Sequence, residues 1–230
     1  MKTLLHIDAS AQQISDIAIP EDSENIPRHS SISKAIATSF IRCWRQQKPQ
    51  DKVIHGDVGI NPPGFINQAW IAAVFTPDDK RSEAQRTLVA LSDTLIEEVD
   101  QADVIVMSSS MYNYGMPAAL KSWFDQIIRI NKTFTFDLTR GDYPLEPKMS
   151  GKTLVLITSA GEFGFAVGGI REKMNHLGPH IQTLSHYLGV EEFHEINVEF
   201  QEFGDQRHQN SIREALAQST TLAVQLTSNL

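Results

Sequence analysis

Residues 104–117 read Val-Ile-Val-Met-Ser-Ser-Ser-Met-Tyr-Asn-Tyr-Gly-Met-Pro. The apolar run Val104–Met107 is rich in β-branched residues and is followed by three serines. Such a bare run is typical of a parallel strand that is buried on both faces. Apolar residues then recur at helical spacing from Pro117 to Ile130, and proline is tolerated at a helix start. The stretch therefore predicts a strand, a polar loop and a helix in succession.

The alternation of strands and helices continues in both directions along the chain. Hydrophobic periodicity predicts further strands at Leu4–Ile7, Lys52–Val58, Thr153–Thr158 and Phe193–Phe200, of which the last alternates like an edge strand. It predicts helices at Ser33–Gln47, Ile66–Val74, Arg81–Val99, Ile170–Leu188 (with a break at Gly178–Pro179) and Asn210–Leu226. Five strands interleaved with helices predict one α/β domain over residues 1–230, built on a doubly wound five-stranded parallel sheet in three layers.

Composition argues against several classes of protein. The chain has 230 residues and a formal net charge of −8, which disfavours non-specific binding to nucleic acid and docking on an anionic membrane. Its single cysteine, Cys43, permits neither an internal disulfide nor a cysteine metal cluster. No apolar run reaches the roughly 18 residues of a transmembrane helix, and the first residues lack a signal-peptide pattern. We therefore expect a cytoplasmic protein that binds neither nucleic acid nor membrane.

One connection is unusually long. Residues Ala11–Pro27 separate the first predicted strand from its helix, where about two to six residues are usual. This acidic insertion contains four carboxylates and no lysine or arginine, so it carries half of the net charge. The sequence is compatible with a lid, a dimer contact or a disordered loop at this point.

Ligands of open parallel sheets bind beyond the carboxyl ends of the strands. Three predicted loops meet that condition, and all are rich in hydroxyls and small residues. They are Ser10 with Ser30–Ser33, Ser108–Pro117, and Ser159–Gly164.

Two of these loops have both a functional and a structural interpretation. Ser31 and Ser33 open a helix whose free N–H groups could bind a phosphate, but serine is also a common N-cap and Ser33 is a candidate for that position. Tyr112, Asn113 and Tyr114 could lie along a flat heterocycle, or the tyrosines could pack on the core. Each pattern alone is weak.

Together the loops resemble those of the FMN-dependent NADH-azoreductase family, which are flavodoxin-like quinone and azo-dye reductases. The Met111–Pro117 loop followed by Leu120–Asp125 is the most specific part of the resemblance. Further points of resemblance are the first strand, which ends in Ser10, and four other segments: Ser31–Ser33, Arg129–Phe136, Gly151–Lys152 and Thr158–Gly161. The resemblance therefore spans nearly the whole chain.

The resemblance implies FMN as cofactor and NADH or NADPH as co-substrate. It assigns the phosphate side to Ser10, Ser31, Ile32 and Ser33, the first ring-side loop to Met111, Tyr112, Asn113 and Tyr114, and the second ring-side loop to Ser159, Ala160, Gly161 and Glu162. Three features depart from the family pattern: the acidic insertion, Tyr114 in place of phenylalanine, and Ala160 and Glu162 in place of arginine and glycine. A carboxylate at position 162 would disfavour a reduced anionic flavin if it faced the ring.

The function implied is a homodimeric enzyme that reduces quinones and azo compounds by ping-pong two-electron transfer, without an identifiable catalytic side chain. Two alternatives stay open: a non-catalytic flavodoxin-like electron-transfer protein, whose acidic surface suits basic redox partners, and a flavin-less interaction domain on the same fold. The aromatic-rich segment Phe134–Tyr143 argues against the electron carrier, because a small-molecule pocket needs such walls.

We expect no metal site. His176 and His180 are four residues apart, but Gly178–Pro179 between them interrupts helical geometry. No carboxylate pair stands beside them at ligand spacing.

Overall fold

The computed structural model describes residues 1–14 and 30–229, which are organised by a central parallel sheet. The strands are, in chain order, β1 (Thr3–Asp8), β2 (Lys52–Asp57), β3 (Val104–Ser110), β4 (Phe134–Phe136), β5 (Leu145–Pro147), β6 (Lys152–Ser159) and β7 (Val190–Val198). The five-stranded sheet has the order β2-β1-β3-β6-β7, and every neighbouring pair in it is parallel. This is the strand order of flavodoxin-like sheets.

Helices cover both faces of the sheet. They are α1 (Ile32–Gln47), α2 (Gln68–Phe75), α3 (Glu83–Gln101), α4 (Ala118–Ile127), α5 (Gly178–Ser185) and α6 (Gln206–Asn229). Residues of α3, α4 and α5, such as Trp123, pack on one face, whereas residues of α1 and α6, such as Trp44, pack on the other. The predicted three-layer doubly wound architecture is thereby confirmed. None of the described helices is long and apolar enough to cross a membrane.

The alternation of side chains along β1 decides which groups face which layer. Leu4 belongs to the apolar cluster under α1 and α6, whereas Leu5 and Ile7 belong to the cluster under α3 and α4. Because side chains alternate along a strand, His6 and Asp8 face the α1 layer together with Leu4.

The structure corrects three predicted boundaries. The segment predicted as a helix at Ile170–Leu188 is α-helical only over Gly178–Ser185, after a short 3-10 turn at Glu172–Met174, because Pro179 occupies the first turn of α5, where its missing N–H costs nothing. The last strand ends at Val198 rather than Phe200, and α1 takes Ser31 rather than Ser33 as its N-cap.

Two features lie outside the prediction or outside the described residues. The antiparallel hairpin β4–β5 was not predicted, because strands of three residues carry too little periodicity. Of the acidic insertion Ala11–Pro27, only residues 11–14 are described. The prediction for the remainder lies outside the described part of the chain.

Candidate functional site

Serine hydroxyls from three strands form a row at the carboxyl edge of the sheet. The Ser159 hydroxyl donates to that of Ser110 over 3.2 Å, and Ser110 donates to that of Ser10 over 3.2 Å. The N–H of Met111 donates to the carbonyl of Ser159 over 2.8 Å and ties the loop after β3 to the end of β6. The three loops expected at one edge therefore meet there.

The N-terminus of α1 lies at the same edge of the sheet, and its first residues are buried. The Ser31 hydroxyl accepts from the N–H of Lys34 over 3.4 Å and caps the helix. Among the described residues, no acceptor lies within hydrogen-bond distance of the N–H groups of Ile32 and Ser33, as expected at the first two positions of a helix. The Ser33 hydroxyl is fully buried, and no hydrogen-bond partner for it is found in residues 1–14 or 30–229.

This donor set fits a phosphate group. A phosphomonoester needs several hydrogen-bond donors, and the positive end of a helix dipole favours its charge. An unpartnered buried hydroxyl is costly unless a ligand pairs with it. The N-cap of α1 is Ser31, so capping does not explain a serine at position 33. The Ser33 hydroxyl can therefore donate a hydrogen bond to a bound ligand.

The loop after β1 is held by the turn after β2. The N–H groups of Val58 and Gly59 both donate to the carbonyl of Asp8, over 2.8 and 3.2 Å. A Cβ added at Gly59 would fall on the backbone carbonyl of Ser10, well inside van der Waals contact. Glycine at position 59 thus permits the close approach that fixes Ser10.

The buried Lys34 does not supply free positive charge to this edge. Its ammonium group lies 2.6 Å from the carboxylate of Asp57, and its side chain is 2% exposed. The local field for an anion therefore comes from N–H groups and hydroxyls, as the acidic composition of the chain requires.

The loop after β3 is a tight two-residue turn. The N–H of Tyr112 donates to the carbonyl of Gly115 and the N–H of Gly115 donates to the carbonyl of Tyr112, both over 3.0 Å. Asn113 and Tyr114 adopt left-handed φ values of 47° and 67°, which is the pattern of a type I′ turn. Tyr112 and Tyr114 are 39% and 38% exposed, so the interpretation that both pack on the core is wrong.

The loop after β6 presents small residues and one carboxylate. The N–H of Ala160 donates to the carbonyl of Val198 over 2.8 Å, and Gly161 leaves room for the side chain of Glu202. The side chain of Glu162 makes separate contacts. Its carboxylate accepts from the Tyr114 hydroxyl over 3.0 Å and pairs with Arg171 over 2.9 Å.

This ion pair changes the expected electrostatics of the loop. The hydrogen bond from Tyr114 to Glu162, together with the charge of Glu162, raises the pKa of the Tyr114 phenol. Arg171 offsets the charge of Glu162 at the same place. Sequence reasoning missed Arg171, because no local pattern links it to a loop nine residues earlier.

A second group of titratable side chains, also missed, lies under the loop after β1. His6 and His55 are register partners on β1 and β2, and Asp8 follows on the same face. One oxygen of Asp8 lies 3.0 Å from Nε2 of His6, and the other lies 2.9 Å from Nε2 of His55. The Ser108 hydroxyl donates to Asp8 over 2.5 Å.

Hydrogen bonds set the direction in which the pKa values of Asp8 and His55 are shifted. Burial alone would raise the pKa of Asp8, but hydrogen bonds from His55 and His6 outweigh it and hold that pKa far below its usual range. The hydrogen bond to Asp8 in turn raises the pKa of His55. Asp8 is therefore an ionised carboxylate that accepts from both rings.

A surface groove of about 970 Å³ on the described residues lies elsewhere. It runs between α2, α3 and the segment after α4, and its lining includes Arg81, Arg129 and Lys148. None of its lining residues belongs to the three loops at the carboxyl edge, so groove size does not identify the site here.

Comparison with known proteins identifies the family of this chain. A family model described as "Flavodoxin-like fold" matches residues 24–222. The chain is 60% identical to "FMN-dependent NADH:quinone oxidoreductase 2" of Colwellia psychrerythraea over 226 residues, which is 98% of this chain and all of that one. The chain belongs to the flavodoxin-like family of FMN-dependent NADH:quinone oxidoreductases.

More distant members of the family and solved structures extend the likeness. "FMN-dependent NAD(P)H:quinone oxidoreductase 1" of Pseudomonas aeruginosa is 36% identical over 194 residues, covering 84% of this chain and 92% of that one. An azoreductase from Bacillus anthracis superposes with a TM-score of 0.79 at 17% identity, covering 97% of this chain and 99% of that one. An FMN-dependent NADH-azoreductase from the same organism, solved in complex with FMN, gives a TM-score of 0.77 at 14% identity, with 97% and 100% covered. These solved structures support the fold.

Proposed function

We propose that this protein is an FMN-dependent oxidoreductase that takes two electrons from NADH and passes them to quinones and azo compounds. The observation that carries the proposal is the buried Ser33 hydroxyl in the first turn of α1, which has no hydrogen-bond partner among the described residues. The family membership of the chain supports the same activity, since the relatives named above are quinone oxidoreductases that depend on FMN.

The phosphate of FMN would be held at one end of the carboxyl edge. Ser10, Ser31, Ile32 and Ser33 would bind it through hydroxyl and N–H donors. This arrangement needs no cationic side chain, which agrees with the pairing of Lys34 to Asp57.

The flavin ring would lie between the two other loops. FMN, when bound, accepts a hydride and returns two electrons to an acceptor. The residues proposed at the ring are Met111, Tyr112, Asn113, Tyr114, Ser159, Ala160, Gly161 and Glu162. The half-exposed rings of Tyr112 and Tyr114 offer apolar walls for a flat cofactor or substrate, while the backbone turn keeps them in place.

Two observations favour an enzyme over an electron carrier. The segment from β4 to β5 exposes Phe136, Leu138 and Tyr143, which are 49%, 75% and 86% exposed, and such side chains suit a pocket wall or an interface rather than an acidic docking face. The 60% identical relative is itself named as an NADH:quinone oxidoreductase. We propose NADH rather than NADPH as the main donor on the same ground.

We further propose a cytoplasmic homodimer of one-domain chains, with the acidic insertion Ala11–Pro27 as an addition to that domain. Exposed apolar side chains on a second surface support a dimer: Phe65, Ile71 and Phe75 are 77%, 43% and 70% exposed. Sedimentation equilibrium of the FMN-loaded protein tests this, and a mass of one chain at micromolar concentration would contradict it.

The decisive experiment is anaerobic reduction of the purified, FMN-reconstituted protein. We expect a flavin visible spectrum, bleaching of that spectrum by NADH, and recovery of the oxidised spectrum on addition of a soluble quinone or an azo dye. Failure to retain FMN would overturn both flavin interpretations. Retained FMN that NADH does not bleach would favour the electron carrier.

A further inference from the structure

We propose that His6, Asp8 and His55 form a binding site for one divalent transition-metal ion of the Zn²⁺ type. The site lies apart from the residues proposed for FMN, under the loop that carries Ser10. Its three ligands come from the two strands at one edge of the sheet.

The donor set is the first argument. Two imidazole nitrogens and one carboxylate are ligands that Zn²⁺ prefers, and three protein ligands with an open fourth position are common at zinc sites. The ligand atoms of His6, Asp8 and His55 all lie within 4.8 Å of one another. Among the described residues, this is the only group of three or more such side chains that meets that condition.

The distances are the second argument. A tetrahedral metal with bonds of about 2.0–2.2 Å holds its ligand atoms about 3.3–3.6 Å apart. Nε2 of His6 lies 3.0 Å from one oxygen of Asp8 and Nε2 of His55 lies 2.9 Å from the other, so each contact needs to lengthen by only a few tenths of an ångström when a metal replaces the hydrogen bonds. The side chain of His55 is 51% exposed, so its ring can turn to bring its nitrogen closer to that of His6.

The surroundings allow a metal to enter and be solvated. A surface cavity of about 340 Å³ borders all three side chains and continues past Gln13 and Thr38. This space is large enough for water to complete the coordination. Ser108 holds the carboxylate of Asp8 from the protein side, as outer hydrogen bonds commonly do at metal sites.

Binding requires a change of tautomer but no added reactant. In the metal-free form each Nε2 lies within hydrogen-bond distance of an Asp8 oxygen and donates its proton to it. To coordinate a metal, each Nε2 must offer its lone pair, so each ring carries its proton on Nδ1 instead.

The balance of nearby charge is compatible with a cation. Lys34 is paired with Asp57 beside the site, so these two charges largely cancel, whereas the exposed Arg45 also lines the cavity and opposes a cation. Asp8 contributes one full negative charge to the metal. The overall charge of −8 adds a weak long-range attraction.

The test is a Zn²⁺ titration of FMN-loaded protein after removal of metals by chelation. We expect one Zn²⁺ per chain at this site, and at least a tenfold loss of affinity in His55→Gln. His194→Gln is the matched control, because His194 also hydrogen-bonds a carboxylate, that of Glu192 over 2.9 Å, but lacks a third ligand. The control should bind Zn²⁺ like the wild type.

A second measurement separates metal binding from misfolding. Zn²⁺ should raise the midpoint of thermal unfolding in the wild type and in His194→Gln, but not in His55→Gln, because a ligand stabilises only the state that binds it. His55 is half exposed, so its substitution should leave FMN content unchanged. Zn²⁺ binding that is absent, or equal in wild type and His55→Gln, would overturn the proposal and leave the cluster as a hydrogen-bonded triad.

Discussion

The guanidinium of Arg171 lies 2.9 Å from the carboxylate of Glu162 in the loop after β6. Glu162 is one of the residues that depart from the family pattern, and alone it would place a negative charge beside the proposed flavin ring. The ion pair offsets that charge within the same chain. The departure at position 162 is thus accompanied by a compensating cation that lies elsewhere in the sequence.

Removing the cation should therefore make reduction of the flavin harder. We expect Arg171→Gln to lower the two-electron midpoint potential, since an uncompensated carboxylate disfavours a reduced anionic flavin. An exposed charge pair contributes about 0.2–1 kcal/mol, which for a two-electron couple is roughly 5–20 mV. Anaerobic titration against a reference dye measures the shift.

Lys2→Gln is the control for this measurement. Lys2 forms an ion pair with Asp103, at 3.1 Å, at the opposite end of the sheet from the three loops. Its potential should match that of the wild type. A potential that stays unchanged in Arg171→Gln would mean that Glu162 does not face the ring.

Ser33→Ala should have opposite effects on the apoprotein and on cofactor affinity. The buried Ser33 hydroxyl has no hydrogen-bond partner in the part of the chain that the structure describes, so its removal should leave the apoprotein equally or more stable. Loss of one donor to phosphate should weaken FMN binding by about 0.5–1.5 kcal/mol, which is roughly 2- to 13-fold. Thermal unfolding of the apoprotein and fluorescence titration with FMN measure the two effects.

Ser31→Ala gives the contrasting pattern, because Ser31 caps α1. Loss of a serine N-cap costs about 1 kcal/mol of stability in the apoprotein itself. If Ser33→Ala bound FMN as tightly as the wild type, the phosphate would lie elsewhere.

Gly59→Ala should disturb the loop that carries Ser10. The added methyl group meets the backbone carbonyl of Ser10, which no side-chain rotation can relieve. Overpacking of this kind costs about 1–3 kcal/mol, so we expect a lower free energy of unfolding and weaker FMN binding. Gly64→Ala is the control, since a Cβ there meets nothing within 4 Å. Equal stability of the two variants would contradict the close approach.

Glu195→Gln should change the pH dependence of stability. Burial raises the pKa of Glu195 above the model-peptide value of 4.5. The folded state thus binds the proton more tightly than the unfolded state. The stability that this contributes is present below about pH 4.5 and is lost as the pH rises through the raised pKa.

Glutamine does not ionise, so the Glu195→Gln variant does not lose this stability as the pH rises. We compare the free energy of unfolding of Glu195→Gln with that of the wild type, measured by urea unfolding at pH 4 and at pH 7. The difference should favour the variant more at pH 7 than at pH 4. The exposed Glu214→Gln should show no such difference. A Glu195→Gln variant that is relatively less stable at pH 7 would contradict the assignment.

Most of the fold follows from local patterns that the sequence displays openly. The bare runs at Val104–Met107 and Thr153–Thr158 identify central strands because both of their faces are buried. The error at Ile170–Leu188 arose because Gly178–Pro179 was interpreted as a break within a helix, whereas it is the first turn of α5. A proline in a helical pattern marks either a break or a start, and only tertiary packing decides between them.

The loops of the candidate site were predictable for a different reason. Parallel strands bring their carboxyl ends to one edge, so Ser10, Ser110 and Ser159 meet whatever the details of their loops. The pairing of His6 with His55 was not predictable, because it depends on the register between β1 and β2 across 49 residues of chain. Neither histidine has a ligand pattern in its own segment.

In the turn at Tyr112–Gly115, backbone interactions determine the shape of the loop, and the tyrosine side chains do not. Its two backbone hydrogen bonds and two left-handed residues hold the loop, while both tyrosine rings point partly into solvent. The backbone of the turn therefore does not depend on the side chain at position 112, although the Tyr112 hydroxyl also accepts from the N–H of Ala11 over 3.2 Å. A small library at that one codon would vary the wall beside the proposed flavin ring on a backbone of fixed shape, which makes this loop an entry point for directed evolution of cofactor and substrate contacts together.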